Sequence, residues 1–402
     1  CTEAGGRVVI DRSAELADAP GNRVGPAVFE LPAAAAIRAN STAMTEQFGP
    51  VLHIIPTDGH EEALALFNAT PYALTGGVFA QSRDDVAFFE QRAACGNFYV
   101  NRTITGARVA IEPFGGFRMS GTGPKAGGRD YLAAFYAVAG QPAEDLDAGP
   151  VPAWLAQVET GRPPPAIDQR LGRSLAPQSG LRAAAVLRRS ARALATLIDV
   201  RGAAALSGVA AWATDHLAGE RTERHANRTI PGQESYDRNS LGRGGIVVLS
   251  CRRRPGPHAL AHVAAAIATA NPVRVIAIGG AVSAWRALAD VLHTDGVDRR
   301  LFDVDEVSGP DALGVALADP DIASVVLDGG AGPWQPLLAV CLDAPAGSMG
   351  LRRLCCPTIG AQPPDWRAFV RAHLHTRSVA ENTMRHGAPL ALRSSQSPVS
   401  TR

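Results

Sequence analysis

The segment Glu46-Gln47-Phe48-Gly49-Pro50 combines residue types that could hold a ligand. The Glu46 carboxylate can accept hydrogen bonds from vicinal hydroxyls of a ligand. The Gly-Pro pair fixes a turn, and the Phe48 ring offers a flat apolar face beside it. Taken alone, a glutamate beside a turn is more often only solvated, so this interpretation needs support from elsewhere in the chain.

Support comes from motifs that occur in a fixed order around this turn. Upstream lies GNRVGPAV at 21–28, and downstream lie GNFYVNR at 96–102 and PFGGFRMSGTGPKAGG at 113–128. This series resembles the C-terminal third of the aldehyde dehydrogenase superfamily, over about a third of the chain. Within it, SGTGPKAGG is similar to the delta-1-pyrroline-5-carboxylate dehydrogenase branch, including the dehydrogenase module of bifunctional proline utilization A proteins.

The resemblance implies NAD-dependent oxidation of L-glutamate gamma-semialdehyde to glutamate. Glu46 would hold the nicotinamide ribose hydroxyls, and Phe48 would pack near the nicotinamide. Phe114 would line the aldehyde pocket, while Gly116 and Phe117 would present backbone N–H groups to the substrate carboxylate. Phe117 departs from the branch, where a small or polar residue often follows the Gly-Gly pair, so the resemblance leaves the pocket size undefined.

No catalytic nucleophile is assigned in this chain. The chemistry needs a thiolate to attack the aldehyde and a glutamate to activate water. In the family that cysteine lies much farther before the Glu46 turn than Cys1, which also lacks its flanking pattern. Packing is the favoured interpretation of Cys95 and of Cys355-Cys356, which border short strands. The NAD-binding half is also missing, so we expect a fragment or a late-starting reading frame that is inactive by itself.

Lys125 is the single lysine of a chain that has 39 lysine and arginine residues. A lysine retained where arginine is used elsewhere indicates a site that a planar guanidinium does not fit. Chance survival of one codon is an equal alternative, since both side chains carry the same charge.

Composition excludes several function classes. Asp and Glu number 38 against the 39 Lys and Arg residues, so binding of nucleic acid through the Arg-rich stretches 181–192 and 252–254 is not favoured. The stretch 252–254 is interpreted as a solvated loop. No apolar stretch approaches the about 18 residues of a membrane span. Six cysteines without paired metal-ligand spacing predict no metal site and favour reduced thiols in the cytoplasm.

The apolar pattern divides the chain into three regions. Residues 1–136 alternate short strand-like runs with helical stretches near 60–70 and 83–94 and correspond to a partial aldehyde dehydrogenase catalytic domain. Residues 137–180, rich in Pro and Gly, are predicted to be a linker. Residues 181–402 begin with helices and continue as apolar strands alternating with helix-length segments. The predicted class is therefore α/β, with a doubly wound, Rossmann-like second domain.

The second domain supplies no G-x-G-x-x-G phosphate loop after its first strand, so nucleotide binding there is the minor alternative. The segment PGQESYDRN at 231–239 is similar to the entry of the C-terminal domain of long proline utilization A proteins. The stretch 377–394 resembles their terminal flap, although Met384-Arg385-His386 replaces a run of small residues. The resemblance implies a catalytically silent domain that covers a tunnel between two active sites.

Two functional hypotheses remain open. In the first, the chain is the C-terminal portion of a glutamate semialdehyde dehydrogenase, and it acts as a homo-oligomer or with the rest of the dehydrogenase polypeptide. In the second, it is a non-catalytic accessory subunit derived from an aldehyde dehydrogenase. The first predicts an upstream NAD-binding half, and the second predicts a stable chain that co-purifies with a separate dehydrogenase.

Overall fold

The structure is a computed structural model that describes most of the chain. The described residues are 1–16, 20–38, 41–121, 123–128, 130–132, 152–165, 170–171, 175–194, 196–198, 200–227, 230–279, 282–328, 332–343, 352–355, 365–385 and 388–389. Part of the predicted linker 137–180 lies outside them, as does the end of the predicted flap, 390–394.

The α-helices of the described residues are distributed along the whole chain. They are α1 Ala33–Ala36, α2 His60–Ala69, α3 Arg83–Arg92, α4 Pro177–Leu194, α5 Val200–Thr222, α6 Pro257–Ala268, α7 Val282–Thr294, α8 Pro310–Leu317, α9 Leu338–Leu342 and α10 Trp366–Arg371.

The strands that precede α4 are short, and the longer ones follow α5. They are β1 Arg7–Asp11, β2 Ala27–Glu30, β3 Val51–Ile54, β4 Tyr72–Ala73, β5 Thr75–Val78, β6 Asn97–Val100, β7 Phe117–Arg118, β8 His225–Ala226, β9 Gln233–Gly242, β10 Gly245–Ser250, β11 Val273–Ile278, β12 Phe302–Val307, β13 Ile322–Asp328, β14 Arg353–Cys355, β15 Leu374–Asn382, β16 Met384–Arg385 and β17 Ala388–Pro389.

Five parallel strands form the sheet of the second half, in the order β12-β11-β10-β13-β14. Helices lie between successive strands along the chain, so the connections are crossovers of the kind that parallel strands require. The predicted α/β class and the doubly wound sheet are confirmed. The strand order reverses between β10 and β13, which is where ligands bind in folds of this type.

Strand β10 shows why these strands are apolar throughout. Ile246 and Val248 pack into one core with helices α4 to α7, whereas Val247 and Leu249 pack into a second core with α8 and α9. Side chains of a strand alternate between the two faces of the sheet, so a strand covered on both faces needs an apolar residue at every position.

A second five-stranded sheet has the order β5-β6-β15-β9-β8. Strand β15, which carries the beginning of the predicted flap, lies between β6 and β9, parallel to the first and antiparallel to the second. Ser378 of β15 pairs with Asn97 of β6, and the Ser378 N–H donates to the Gly96 carbonyl over 2.9 Å. The C-terminal strand thereby contacts the strand that begins the GNFYVNR motif.

The chain groups into two compact units. The first consists of Cys1–Pro71 and Asp84–Ala94, and the second of Tyr72–Arg83 and Cys95–Arg402. The first unit holds the three-stranded sheet β1-β2-β3 and helix α2. The second holds both five-stranded sheets. The predicted domain divisions after residues 136 and 180 stay predictions.

Candidate functional site

The Glu46 turn lies in the first unit, immediately before β3. The Gly49 N–H donates to the Gln47 carbonyl over 2.8 Å, and the Val51 N–H donates to the Gly49 carbonyl over 2.9 Å. These local bonds hold the turn tightly, as the Gly-Pro pair predicts. Glu46 is exposed, and the Phe48 side chain is 97% exposed. A carboxylate and an aromatic face are therefore both available to a ligand on one turn.

The other predicted site residues, Phe114, Gly116 and Phe117, lie together in the second unit. Phe114 and Ala126 exchange two backbone hydrogen bonds of 3.0 Å each, so the loop from 113 to 128 closes on itself like a short hairpin. The Phe114 side chain remains 37% exposed. A partly exposed ring on a well-bonded backbone is suited to lining a pocket.

Gly116 is hydrogen-bonded within the loop, and the Phe117 side chain packs against β15. The Gly116 N–H donates to the Ser120 carbonyl over 3.1 Å. Phe117 is 4% exposed, and its ring stacks on that of His375 with centroids 3.9 Å apart. The prediction that these two residues bind a substrate carboxylate stays a prediction. In this structure it requires the Gly116–Ser120 hydrogen bond to open.

Two buried polar side chains lie behind the Phe114 backbone. The Asn97 side chain donates from Nδ2 to the Pro113 carbonyl over 2.9 Å, and its Oδ1 accepts from the Gly115 N–H over 3.2 Å. Lys125 Nζ donates to Asn97 Oδ1 over 2.8 Å and to the Gly96 carbonyl over 2.5 Å. We name this set, the side chains of Asn97 and Lys125 with the backbone of 113–115, the Phe114 clamp.

A buried carboxylate organises the loop that connects β6 to the Phe114 clamp. The Glu112 side chain accepts hydrogen bonds from the Arg108 backbone N–H and the Arg108 guanidinium, each over 2.8 Å, and from Gln233 Nε2 over 2.6 Å. Burial opposes ionisation, but these donors hold the pKa of Glu112 below its usual value. Sequence reasoning missed both Asn97 and Glu112, because neither residue type marks a site without its spatial partners.

The described cysteines do not provide an activated nucleophile. Cys95 is fully buried, and burial raises the pKa of its thiol although Arg377 and Lys125 are near. The Cys1 sulfur lies 3.7 Å from His53 Nε2, within hydrogen-bonding distance for sulfur, but burial and the N-terminal ammonium lower the pKa of His53 and weaken it as a base. Cys356 lies outside the described residues.

One group of potential metal ligands occurs among the described residues: Glu220, Glu223 and His225, whose ligand atoms lie within 4.8 Å of one another. Arg367 approaches Glu220 Oε1 to 2.7 Å with Nε and Glu223 Oε2 to 3.8 Å with Nη2. The two carboxylates are thus balanced by a guanidinium, and the group is an ion-pair network.

A carboxylate of the chain lies where the strand order reverses between β10 and β13. Asp328 Oδ1 accepts from the Gly256 N–H over 3.0 Å, and Oδ2 accepts from the Ser250 hydroxyl over 2.6 Å. Gly256 precedes α6, which begins at Pro257 and so lacks an N–H at its first position. The Asp328 carboxylate therefore lies where the phosphate of a nucleotide would meet a helix N-terminus.

Comparison with known proteins identifies the part of the chain that contains Glu46 and Phe114. Residues 1–139 match the family described as "Aldehyde dehydrogenase family". The first third of the chain therefore matches the aldehyde dehydrogenases. The predicted resemblance is confirmed over these residues.

Two relatives that share one name are similar to part of this segment. A 1-pyrroline-5-carboxylate dehydrogenase of Bacillus pumilus is 43% identical over 129 residues, which are 32% of this chain and 24% of that protein. A protein of the same name from Bacillus licheniformis is 50% identical over 88 residues, 22% of this chain and 17% of that protein. The chain thus spans about a quarter or less of the length of these relatives.

A solved structure is similar over more of the chain. Proline utilization A from Corynebacterium freiburgense aligns with 96% of this chain and 30% of its own, at 19% identity and a TM-score of 0.46. A likeness of this size carries no inference about function.

None of the helices that the structure describes combines the length and apolar composition needed to cross a bilayer.

Proposed function

We propose that this chain is the C-terminal portion of an NAD-dependent L-glutamate gamma-semialdehyde dehydrogenase. The observation that carries the proposal is the 43% identity to a protein named 1-pyrroline-5-carboxylate dehydrogenase. The partly exposed Phe114 ring supports it, since it lies on a closed loop within the aldehyde dehydrogenase segment. We place the protein in the cytoplasm and expect it to act as a homo-oligomer or with the rest of the dehydrogenase polypeptide.

NAD is the proposed cofactor, and the Glu46 turn fits it chemically. The exposed Glu46 carboxylate would accept hydrogen bonds from the ribose hydroxyls, and the exposed Phe48 ring would cover an apolar face of the nicotinamide. When bound, NAD supplies the acceptor for the hydride that leaves the substrate. The chain's own contribution is to hold and orient the cofactor.

Substrate binding is assigned to the second unit. Phe114 would line the aldehyde pocket, and the Gly116 and Phe117 amides would meet the substrate carboxylate once the Gly116–Ser120 bond opens. The nucleophilic cysteine and the water-activating glutamate would come from the rest of the dehydrogenase. Without them this chain can position groups but cannot form or hydrolyse the acyl intermediate.

We expect the chain alone to show no NAD-dependent oxidation of glutamate semialdehyde, because the residues that the structure describes offer no activated thiolate. The measurement is NADH formation at saturating NAD, with the polypeptide encoded by the complete natural reading frame assayed in parallel. NADH formation by the chain alone would refute the missing-nucleophile interpretation. Inactivity of the complete polypeptide would refute the dehydrogenase proposal and favour an accessory subunit.

In the complete dehydrogenase, Glu46→Gln is expected to raise the KM for NAD about tenfold or more, because an amide accepts ribose hydrogen bonds less strongly than a carboxylate. Glu46 is exposed, so the free energy of unfolding should remain within about 0.5 kcal/mol of the parent. Glu3→Gln, an exposed glutamate of the same unit, is the matched control. Unchanged NAD kinetics would refute the assignment of Glu46.

A further inference from the structure

The backbone of Phe114 is fixed on both of its flanks by one side chain. Asn97 Nδ2 donates to the carbonyl of Pro113, and Asn97 Oδ1 accepts from the N–H of Gly115. Phe114 itself pairs with Ala126 through its own N–H and carbonyl. Every peptide group next to Phe114 is therefore bonded. The Ser378 hydroxyl also donates to the Pro113 carbonyl over 3.0 Å, so Asn97 is one of two side chains that hold this backbone, and the one that reaches both flanks.

Lys125 reinforces the Asn97 amide orientation that the Pro113 carbonyl and the Gly115 N–H already favour. Its Nζ lies 2.8 Å from Asn97 Oδ1, and an amino group in this position needs an acceptor opposite it. A flipped Asn97 amide would place its NH2 against the Lys125 amine and against the Gly115 N–H. The second Lys125 bond, to the Gly96 carbonyl, holds Nζ in place. The Asn97 amide thus has one satisfactory orientation.

The surroundings of Lys125 combine burial with mixed charge. The residue is 7% exposed, and the groups that face it are Asp237 of β9, Cys95 before β6 and Arg377 of β15. Burial lowers the pKa of Lys125 to about 7; Asp237 and Cys95 raise it, and Arg377 lowers it further. Space is also limited, because a Cβ added to Gly115 would lie 3.2 Å from the Lys125 Cα.

We propose that Lys125 is a positioning residue for the aldehyde pocket: through Asn97 it fixes the peptide groups on both sides of Phe114. The wider guanidinium of arginine cannot replace it between Gly96 and Asn97, which accounts for the single lysine of the chain. The role of Lys125 in the Phe114 clamp stands on the contacts of this chain. Its role toward the aldehyde rests on the proposed function.

The clamp is tested first in this chain, without any assay of activity. A sample labelled only at lysine gives one side-chain NMR signal, because Lys125 is the single lysine. We expect this signal to titrate with a pKa of about 7, and the amide signals of Phe114 and Gly115 to shift with the same midpoint. If the amide signals of Phe114 and Gly115 do not shift while Lys125 titrates, the proposal is refuted.

Lys125→Met provides the second readout. Amide hydrogen exchange at Phe114 and Gly115 should accelerate about tenfold or more, while amides of the β10–β13 sheet stay unchanged. The free energy of unfolding should not fall, because burial already disfavours the lysine charge. Both acceptors of Lys125 also keep a second donor: Asn97 Oδ1 keeps the Gly115 N–H, and the Gly96 carbonyl keeps the Ser378 N–H. Lys125→Gln serves if the methionine variant does not fold, and exposed Arg38→Met is the control. Unchanged exchange at Phe114 in both variants would overturn the clamp.

The complete dehydrogenase then tests the effect on substrate. Lys125→Met and Lys125→Arg should each raise the KM for glutamate semialdehyde about tenfold and leave the KM for NAD unchanged, because only the pocket ring is displaced. If amide exchange at Phe114 and Gly115 accelerates while the KM for glutamate semialdehyde is unchanged, the role of Lys125 in the aldehyde pocket is refuted. An inactive parent enzyme would refute the proposed function, whereas the exchange data would still decide the role of Lys125 in the clamp.

Discussion

Acidification from about pH 6.5 to about pH 4 is expected to remove several kcal/mol from the free energy of unfolding. The cause is a group of histidines in the second unit: His262 and His373, which are buried, and His258, which is half-buried. Burial is the main cause that lowers the pKa of His258 to about 4 and that of His373 to about 3, and it places that of His262 well below its usual value.

The sign follows from proton uptake. Below the unfolded pKa of 6.5 the unfolded chain binds protons at these histidines and the folded chain does not, so the folded state loses stability as the pH falls. The loss continues until the folded pKa is reached. His258 alone would account for roughly 3 kcal/mol by that point.

The contact between His262 and His373 adds to the effect of burial on these two rings. His373 Nδ1 donates to the Phe369 carbonyl over 3.0 Å, so His373 Nε2 must accept from His262 Nδ1, 3.0 Å away. A proton added to His373 would place two donors against each other. Arg353 adds a nearby positive charge that lowers the pKa of both rings further.

Urea unfolding at about pH 7 and about pH 5 measures the loss, in a range above the usual pKa of carboxylates. His262→Leu should flatten the pH dependence, since it removes one titrating ring and frees His373 from its partner. Exposed His216→Gln should leave the dependence as it is in the parent. Equal free energies of unfolding at the two pH values in the parent would contradict the prediction.

Local elements of this protein follow from its sequence pattern. The runs GGIVVLS and VRVIAIGG are apolar at successive positions and form β10 and β11, each buried on two faces. Helix α2 was expected near 60–70 and spans His60–Ala69. These predictions hold because the period of the apolar residues directly reflects which faces of an element are covered.

Long-range pairing could not be predicted in the same way. Nothing in the sequence of β15, LHTRSVAEN, selects β6 and β9 as its neighbours. The same limit applies to the stacking of the Phe117 ring on His375 of β15, which no local pattern predicts. Both contacts join residues far apart in the chain, and no local period encodes them.

Single residues gave a mixed outcome for a physical reason. Lys125 was notable in the sequence because its type is unique, and the structure places it in a buried hydrogen-bond network. Asn97 was not notable, although it makes more of the contacts around Phe114. An asparagine gains its role only from the groups that surround it, and the partners of the Asn97 side chain lie in the loop from 113 to 128.

Gly96→Ala is expected to lower the free energy of unfolding by about 3 kcal/mol or more and to displace the Phe114 clamp. A Cβ at residue 96 would lie 1.9 Å from the Gly115 carbonyl oxygen and 2.8 Å from the Gly116 Cα. Both are backbone atoms, so no side-chain rotation relieves the contact. The segment around Gly115 would have to move away from β6.

The clash lies within the clamp, so stability and position should change together. Movement of Gly115 lengthens its bond to Asn97 Oδ1, and amide exchange at Phe114 should rise as in Lys125→Met, but now with a lower free energy of unfolding. Gly123→Ala is the matched control, because a Cβ there meets nothing within 4 Å. If Gly96→Ala unfolds at the same urea concentration as Gly123→Ala, the close approach of Gly96 and Gly115 does not exist in solution. The distance between the Phe114 clamp and β6 would then not be set by the contact of Gly96 with Gly115.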